Sequence, residues 1–322
     1  MINQIENVQD PAHLRIEYMP GNVCNYKCNY CFPGSNEGDM NWPDFNTVKT
    51  NLGHLLDYYR QHGKTKSHIY LIGGEVTLWK QLEELCSYIK DNFDTTIELS
   101  TNATRKIDWW HRNAKNFDHI NVSVHREFCN IDHIIEVCDV LYDQGVYVGA
   151  DVLFDPLAFD QCVSFVEQLK KSKNEWPILA KAVHFNGVHR YNEEQLMYLK
   201  DMVKRYPPTD WYEEKIVRRR REVKITHDTG EVITVHDVNW LVKNKLNYFK
   251  GWSCNVGVDL IKIFPDGKIT ANCNQVLYNN NFDFNLYQKD FVEKFKPDLK
   301  PVICSKPICV CSEEMNCNKK KN

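Results

Sequence analysis

No stretch of these 322 residues approaches the roughly 18 uninterrupted apolar positions that a membrane-spanning helix requires. The opening, Met1 to Pro11, is polar and acidic, and it lacks the basic region, apolar core and cleavage site of a secretory signal. Neither sign of charge dominates: 40 lysines and arginines stand against 43 acids, a net charge of −3, so no polyanion footprint points to nucleic acid. Internal repeats are absent, and so are low-complexity segments beyond the closing Lys319-Lys320-Lys321. Those lysines, like Arg218 to Arg221, are expected to be solvated surface. What remains is an ordinary globular composition, 43% hydrophobic and 26% charged, at a length that suits one large α/β domain plus a smaller module.

Cysteine is the exception to this moderation. The chain has 13, an odd number in uneven clusters, which argues against a secreted disulfide framework and for a reducing cytoplasm. Three of them, Cys24, Cys28 and Cys31, fall within one eight-residue stretch that follows the alternating run Leu14 to Tyr18. Thiolates this close in a loop can grip one soft metal centre from one side. A structural zinc needs a fourth ligand from elsewhere, whereas a 4Fe-4S cluster can be held by three and keep one iron open for a ligand. Spacing alone leaves both readings standing.

The rest of the chain alternates strand and helix. Leu14 to Tyr18, Ser67 to Ile72, Thr96 to Ser100, Ile120 to Val124, Val146 to Phe154 and Lys181 to Phe185 read as strands. Helical patterns run through Pro43 to Arg60, Leu82 to Ile89, His133 to Gln144 and Phe159 to Lys171. Right-handed crossovers roll such units into a parallel sheet curved as an open, partial (β/α)6 TIM-like barrel, and ligands gather at the carboxyl ends of its strands. After Tyr206-Pro207-Pro208 the rhythm breaks. Val223 to Val235 reads as a hairpin turning at Asp228-Thr229-Gly230, and a second group of thiols follows: Cys254, Cys273, Cys304, Cys309, Cys311 and Cys317.

Several residues sit where strands end. Gly73-Gly74-Glu75 closes the second strand, with two glycines that allow close backbone approach and a carboxylate that can accept from an ammonium group. Ser100-Thr101-Asn102-Ala103-Thr104 closes the third; these residues also favour helix caps and Asx turns. Ser123 and His125 end the fourth, with Glu127 nearby. Asp155, and His184 with Asn186, are expected to end the fifth and sixth strands and to face the same cavity as candidate substrate contacts.

The spacing Cys-x3-Cys-x2-Cys, with Tyr30 before the last thiol and these strand-end motifs in order behind it, resembles the radical S-adenosylmethionine (SAM) enzymes. The resemblance implies a 4Fe-4S cluster on Cys24, Cys28 and Cys31 whose open iron is chelated by SAM. It also implies that Tyr30, Gly73, Gly74, Glu75, Ser100, Thr101, Asn102, Ser123 and His125 contact that cofactor. The family's "TNGT" stretch carries Ala103 here in place of glycine. His125 is a candidate for direct contact with SAM or substrate, and Cys129, just past the fourth strand, for hydrogen-atom donation. Cys86, Cys138 and Cys162 sit at helical positions as small core residues.

The C-terminal group extends the resemblance. Cys254 and Cys273 flank a hairpin turning at Asp266-Gly267, which brings the two thiols together. This looks like the opening of the SPASM and twitch modules, here a β-hairpin plus short helix, which add an auxiliary 4Fe-4S cluster. Further ligands are expected from Cys304, Cys309 and Cys311, with Cys317 a weaker candidate; structural zinc is the rival. The implied layout is a barrel over residues 1–205, a linker and hairpin over 206–250, and the auxiliary module over 251–322.

The implied reaction is reductive cleavage of SAM, giving a 5'-deoxyadenosyl radical that abstracts hydrogen from a substrate, with electrons from a flavodoxin- or ferredoxin-type donor. A net two-electron oxidation or bond formation on a small molecule is expected. Only residues 1–13 precede the first strand, which tilts the reading away from the alternative, a ribosomal peptide to be crosslinked or epimerised. A non-enzymatic metal-binding protein is the reading from a different class, and it leaves Gly73-Gly74-Glu75 and the strand-end pattern without a purpose.

Overall fold

The computed structural model describes residues 2–8, 11–32, 34–39, 41–183, 191–205, 222–235, 238–271, 284–309 and 312–322. Strands β1 (Ile2–Asn7) and β2 (His13–Tyr18) open the chain. Then come α1 (Phe45–Gln61), β3 (Lys66–Leu71), α2 (Leu82–Asn92), β4 (Thr95–Thr101), α3 (Ile107–Asn113), β5 (His119–Val124), α4 (Ile131–Asp143), β6 (Tyr147–Phe154), α5 (Phe159–Leu169), β7 (Ile178–Ala182) and α6 (Glu193–Arg205). Strands β2 to β7 pair in order, all parallel, so the expected run of six strand-helix units is present. The sixth strand lies earlier than the sequence pattern places it and ends at Ala182, while His184 and Asn186 fall outside the described residues.

Each strand divides its side chains between two environments. Ile16, Ile69, Leu71, Ile97, Leu99, Ile120, Val122, Val148 and Val152 enter one apolar core with Val48, Leu52, Leu85, Ile89, Val137 and Leu141 from the helices. Alternate positions on the other face are polar: Glu17, His68, Tyr70, Glu98, Ser100, Asn121, Ser123 and Asp151. Closed (β/α)8 barrels fill that interior with branched apolar side chains. Here its polarity keeps the interior as a place for polar chemistry.

The C-terminal part is woven into the barrel. It contains β8 (Val223–His227), β9 (Val232–Val235), α7 (Asn239–Lys243), β10 (Ser253–Cys254), β11 (Leu260–Ile263), β12 (Lys268–Thr270), β13 (Phe284–Asn285), α8 (Phe291–Lys294), β14 (Val302–Ile303), α9 (Ser312–Met315) and β15 (Lys319–Lys320). Both hairpins form as expected, β8 with β9 and β11 with β12. Strand β11 also pairs in parallel with β2, extending the barrel sheet to nine strands in the order β13-β12-β11-β2-β3-β4-β5-β6-β7. Lys262 on β11 lies 2.6 Å from Glu17 on β2, and the buried Asn51 amide of α1 donates to the carbonyls of Leu286 (2.7 Å) and Gln288 (2.9 Å). A second sheet, β14-β10-β15-β1-β8-β9, takes the N-terminal strand into the C-terminal part. Lys319, expected at the surface, is buried on β15, where its ammonium donates to the carbonyls of Glu314 and Cys317 and lies 5.4 Å from the Phe249 ring centre.

Candidate functional site

The loop after β2 has no strand ladder to satisfy its backbone, so its shape comes from the elements beside it. Glu75 N–H donates to the Val23 carbonyl at 2.8 Å and Gly74 N–H to that of Gly21 at 3.3 Å, holding the loop entry against the end of β3. This approach requires glycine. A Cβ on Gly73 or Gly74 would collide with the carbonyl oxygens of Gly21 or Val23, and Gly73 has φ +136°, a value that side-chain-bearing residues avoid.

Cys24, Cys28 and Cys31 border one cavity of about 350 Å³ at the carboxyl ends of the strands, together with Gly73, Gly74, Glu75, Ser100, Thr101, Asn102, Ser123 and His125. Most of the residues expected to hold cofactor therefore share a wall. Burial raises all three thiols, that of Cys28 to about 12, so metal binding here has to displace their protons. They surround a void without closing on a single ion, and among the described residues no set of three or more His, Cys, Asp or Glu side chains does so. Three soft donors around an open space fit a polynuclear iron-sulfur cluster, in which each thiolate can take a different iron.

Glu75 is 1% exposed and heavily bonded. Its Oε1 accepts from Thr77 N–H (3.1 Å), Thr77 Oγ1 (2.6 Å) and Thr101 Oγ1 (2.8 Å), and its Oε2 accepts from Asn102 N–H at 2.6 Å. Burial pushes its pKa up and these bonds pull it back down, with burial the larger influence. The carboxylate thus ties the end of β3 to the end of β4.

His125 also lines the cavity. Its Nδ1 lies 3.1 Å from the Tyr30 hydroxyl and 3.4 Å from Cys28 Sγ, and burial lowers it to about 4, so the ring is neutral at pH 7. Tyr30 stacks on His125 with ring centres 6.0 Å apart, so it positions the imidazole and does not itself line the cavity. Cys129 lies one turn beyond, its N–H donating to the His125 carbonyl (3.0 Å) and its side chain packed against the core, off the cavity wall. Burial raises its thiol to about 11. Asp155 is buried, paired with Arg126 at 3.0 Å and capping Leu157 N–H at 2.9 Å, and it is likewise off the wall.

Met19, Tyr26, Tyr70 and Ile72 line the cavity as well, without having been singled out in the sequence. The two-residue repeat along β3 that puts Ile69 and Leu71 in the core is the signal that turns Tyr70 and Ile72 inward. Tyr70 and Ser100 hydroxyls meet at 2.6 Å across the cavity floor. Beneath them the Glu98 carboxylate lies 2.9 Å from His68 Nε2 and 3.2 Å from His119 Nδ1, and it accepts from Asn121 Nδ2 at 2.7 Å.

Among the C-terminal candidates, Cys254, Cys304, Cys309 and Cys317 are all buried, while Cys273 and Cys311 lie outside the described residues. Cys254 on β10 stands opposite Lys319 on β15 and Val302 on β14, two residues before Cys304. Cys254 and Cys317 share one small apolar cluster with Val256, Leu260 and Ala271. Burial raises both thiols, and the nearby Lys319 charge opposes that rise. Cys317, the weaker candidate by sequence, is therefore placed beside the first of the group.

No helix among the described residues is long and apolar enough to cross a membrane. Residues 18–126 match the Radical SAM superfamily. Over 124 residues the chain is 35% identical to GTP 3',8-cyclase from Haemophilus influenzae, in strain PittGG and equally in strain Rd. The match covers 36% of this chain and 35% of that protein, so the chain spans about a third of the length of these relatives. The solved structure of anSMEcpe with bound AdoMet aligns with 88% of this chain and 79% of its own, at 13% identity and a TM-score of 0.53, a likeness of fold. The thiol loop, Gly73-Gly74-Glu75 and His125 all lie within the stretch that matches this superfamily.

Proposed function

We propose that this chain is a radical SAM enzyme that holds a 4Fe-4S cluster on Cys24, Cys28 and Cys31, binds SAM in the adjoining cavity, and abstracts hydrogen from a small molecule in a net two-electron oxidation or bond formation. The observation that carries this reading is the single wall shared by three thiols, the Gly73-Gly74-Glu75 turn and the ends of β4 and β5. When bound, the cluster and SAM supply a 5'-deoxyadenosyl radical. The chain's own contribution is placement. Gly73 and Gly74 let the backbone close on the cofactor, Ser100 and Ser123 offer hydroxyls to its polar groups, and Met19, Tyr26 and Ile72 exclude water from the reacting carbon. A cavity of about 350 Å³ with a Tyr70-Ser100 floor is in the size range of pockets that enclose small ligands.

A second 4Fe-4S cluster is proposed on the C-terminal thiols, as acceptor of the substrate's second electron. The burial of Cys254 and Cys317 in one apolar cluster and of Cys304 and Cys309 in another supports it, as does the positive charge of Lys319 beside Cys254 and Cys317, which suits thiolate ligands. A flavodoxin- or ferredoxin-type protein is proposed as the reductant. The deciding experiment is anaerobic reconstitution with iron and sulfide, followed by reduction with dithionite in the presence of SAM. Formation of 5'-deoxyadenosine and methionine is expected; a protein that takes up no iron at residues 24–31, or loads fully and leaves SAM intact, overturns the reading.

A further inference from the structure

The thiol loop is gripped in its middle as well as at its entry. Asn25 directly follows the first thiol and its side chain is exposed, a setting in which an amide ordinarily stays with water. Instead both of its polar atoms are bound to the turn after β4. Asn102 Nδ2 donates to Asn25 Oδ1 (2.9 Å), Asn25 Nδ2 donates to Thr104 Oγ1 (3.0 Å), and the Thr104 hydroxyl donates to Asn102 Oδ1 (2.8 Å). Within this ring each of the three side chains gives one hydrogen bond and takes one, and Asn102 Oδ1 also accepts from Thr104 N–H at 3.2 Å. The ring closes on itself, an arrangement in which each bond polarises the next.

The turn is built to present these two partners side by side. Ala103, between them, has φ +59°, the left-handed region that a residue with a Cβ enters only at a cost. Backbone held there persists where surrounding contacts over-determine it. Ala103 is fully buried, and His133 Nε2 from α4 lies 3.0 Å from the carbonyls of both Ala103 and Arg105, fixing the turn from behind. Asn102 N–H is held by Glu75 at 2.6 Å, and Glu75 N–H holds the Val23 carbonyl, so the clamp and the loop entry share one anchor.

We propose that Asn102 and Thr104 clamp Asn25 so that the stretch from Cys24 to Cys28 is shaped before iron arrives, which makes Asn25, Asn102 and Thr104 positioning residues for the cluster. The proposal deepens, and rests on, the reading of Cys24, Cys28 and Cys31 as cluster ligands. It gives the amide of Asn102 a task other than contact with SAM, and it assigns a task to Asn25 and Thr104.

The test uses the full chain with Asn25→Ala, Thr104→Val, Thr104→Ser and the double variant Asn25→Ala/Thr104→Val. Hydrogen exchange of residues 22–31 is followed in iron-free protein, and iron loss to a chelator in reconstituted protein. Asn25→Ala and Thr104→Val should each speed both processes about tenfold, the factor that loss of one or two ordinary hydrogen bonds produces. Thr104→Ser keeps the hydroxyl and should behave as wild type, and the double variant should be no worse than either single one, because all act through one ring. Additive effects, failure of Thr104→Ser to restore the wild-type rate, or a fall in melting temperature without faster local exchange would overturn the clamp. A wild-type chain that takes up no iron would instead defeat the cluster reading, while the exchange comparison in iron-free protein would still decide the clamp.

Discussion

Glu98 and His68 meet on neighbouring strands beneath the cavity floor, Oε2 to Nε2 at 2.9 Å, with the His68 ring held from its other side by Thr96 Oγ1 at 2.9 Å. Burial works against the Glu98 charge, but His119 and His68 more than offset it and hold the carboxyl well below its usual range. A depressed carboxylate contributes stability that is present above the ordinary glutamate value of about 4.3 and fades as pH falls toward the folded-state value. Glu98→Gln should therefore cost about 3 kcal/mol at pH 7, with the gap to wild type closing below about pH 4. Urea unfolding of iron-free protein across that range measures it; a gap that stays constant with pH would show that the charge is not what stabilises.

Glu75→Gln should do more than weaken SAM binding. The carboxylate accepts from two backbone N–H groups and two hydroxyls, and an amide turns its own donors toward some of them. Leaving buried donors unmatched costs about 1 to 3 kcal/mol. The expected result is lower folding stability and poorer iron loading along with weaker SAM binding, read by denaturant titration, iron assay and SAM titration. The motif alone suggests loss of SAM affinity with cluster content intact, so the iron assay separates the two expectations.

Replacing Cys24, Cys28 and Cys31 together by alanine should lower the iron of reconstituted protein from about eight to about four atoms, one four-iron cluster, and abolish 5'-deoxyadenosine formation. Iron of about four in the wild type, accompanied by zinc, would assign the C-terminal thiols to a structural metal.

Cys254→Ala or Cys317→Ala should likewise remove about four irons while sparing SAM cleavage, since neither lines the cavity. Electron paramagnetic resonance of the reduced variants should retain the signal that changes on SAM addition and lose the one that does not. Loss of SAM cleavage in variants that keep the first cluster would mean that the two sites depend on each other.

Ala103→Gly should stabilise the iron-free chain. The left-handed conformation costs a residue with a Cβ roughly 1 to 2 kcal/mol, and the added freedom of glycine in the unfolded chain costs about 0.5 to 1 kcal/mol. A net gain of about 0.5 to 1 kcal/mol follows, read as a shifted urea midpoint. No change or a loss would show that the Ala103 methyl, fully enclosed in the core, contributes packing of the same size.

The barrel was legible because its strands alternate cleanly and its helices keep apolar spacing. The thiol loop, Gly73-Gly74-Glu75 and His125 were legible because chemistry restricts which residues can occupy such places. Strand β1 was not. Its buried residues, Ile2 and Ile5, are three apart, and the register shifts between Ile2 and Gln4, so the two-residue repeat is broken by an irregularity that only a partner strand reveals. Lys319 was read as solvated because a run of lysines ordinarily is; its burial depends on carbonyls at Glu314 and Cys317 that local sequence does not point to. Glu75 lines the cavity where the motif suggests, while Tyr30, expected to contact the cofactor, stands behind His125; their bonding to the β4 turn and to His125 emerges only once strands far apart in sequence are side by side.

The weave of the second sheet sets an order of events during synthesis. Gln4 pairs with Thr226 on one side and Lys320 on the other, so β1 waits for the barrel strands to be made before it finds either neighbour. Contacts between such distant residues close large loops and form late. The barrel strands β2 to β7, paired with their sequence neighbours, can assemble while the ribosome is still translating the C-terminal part. Iron delivered to the thiol loop at that stage would meet a site whose entry, clamp and cavity wall are already in place, whereas Cys254 sits on β10, in a sheet that waits for β15.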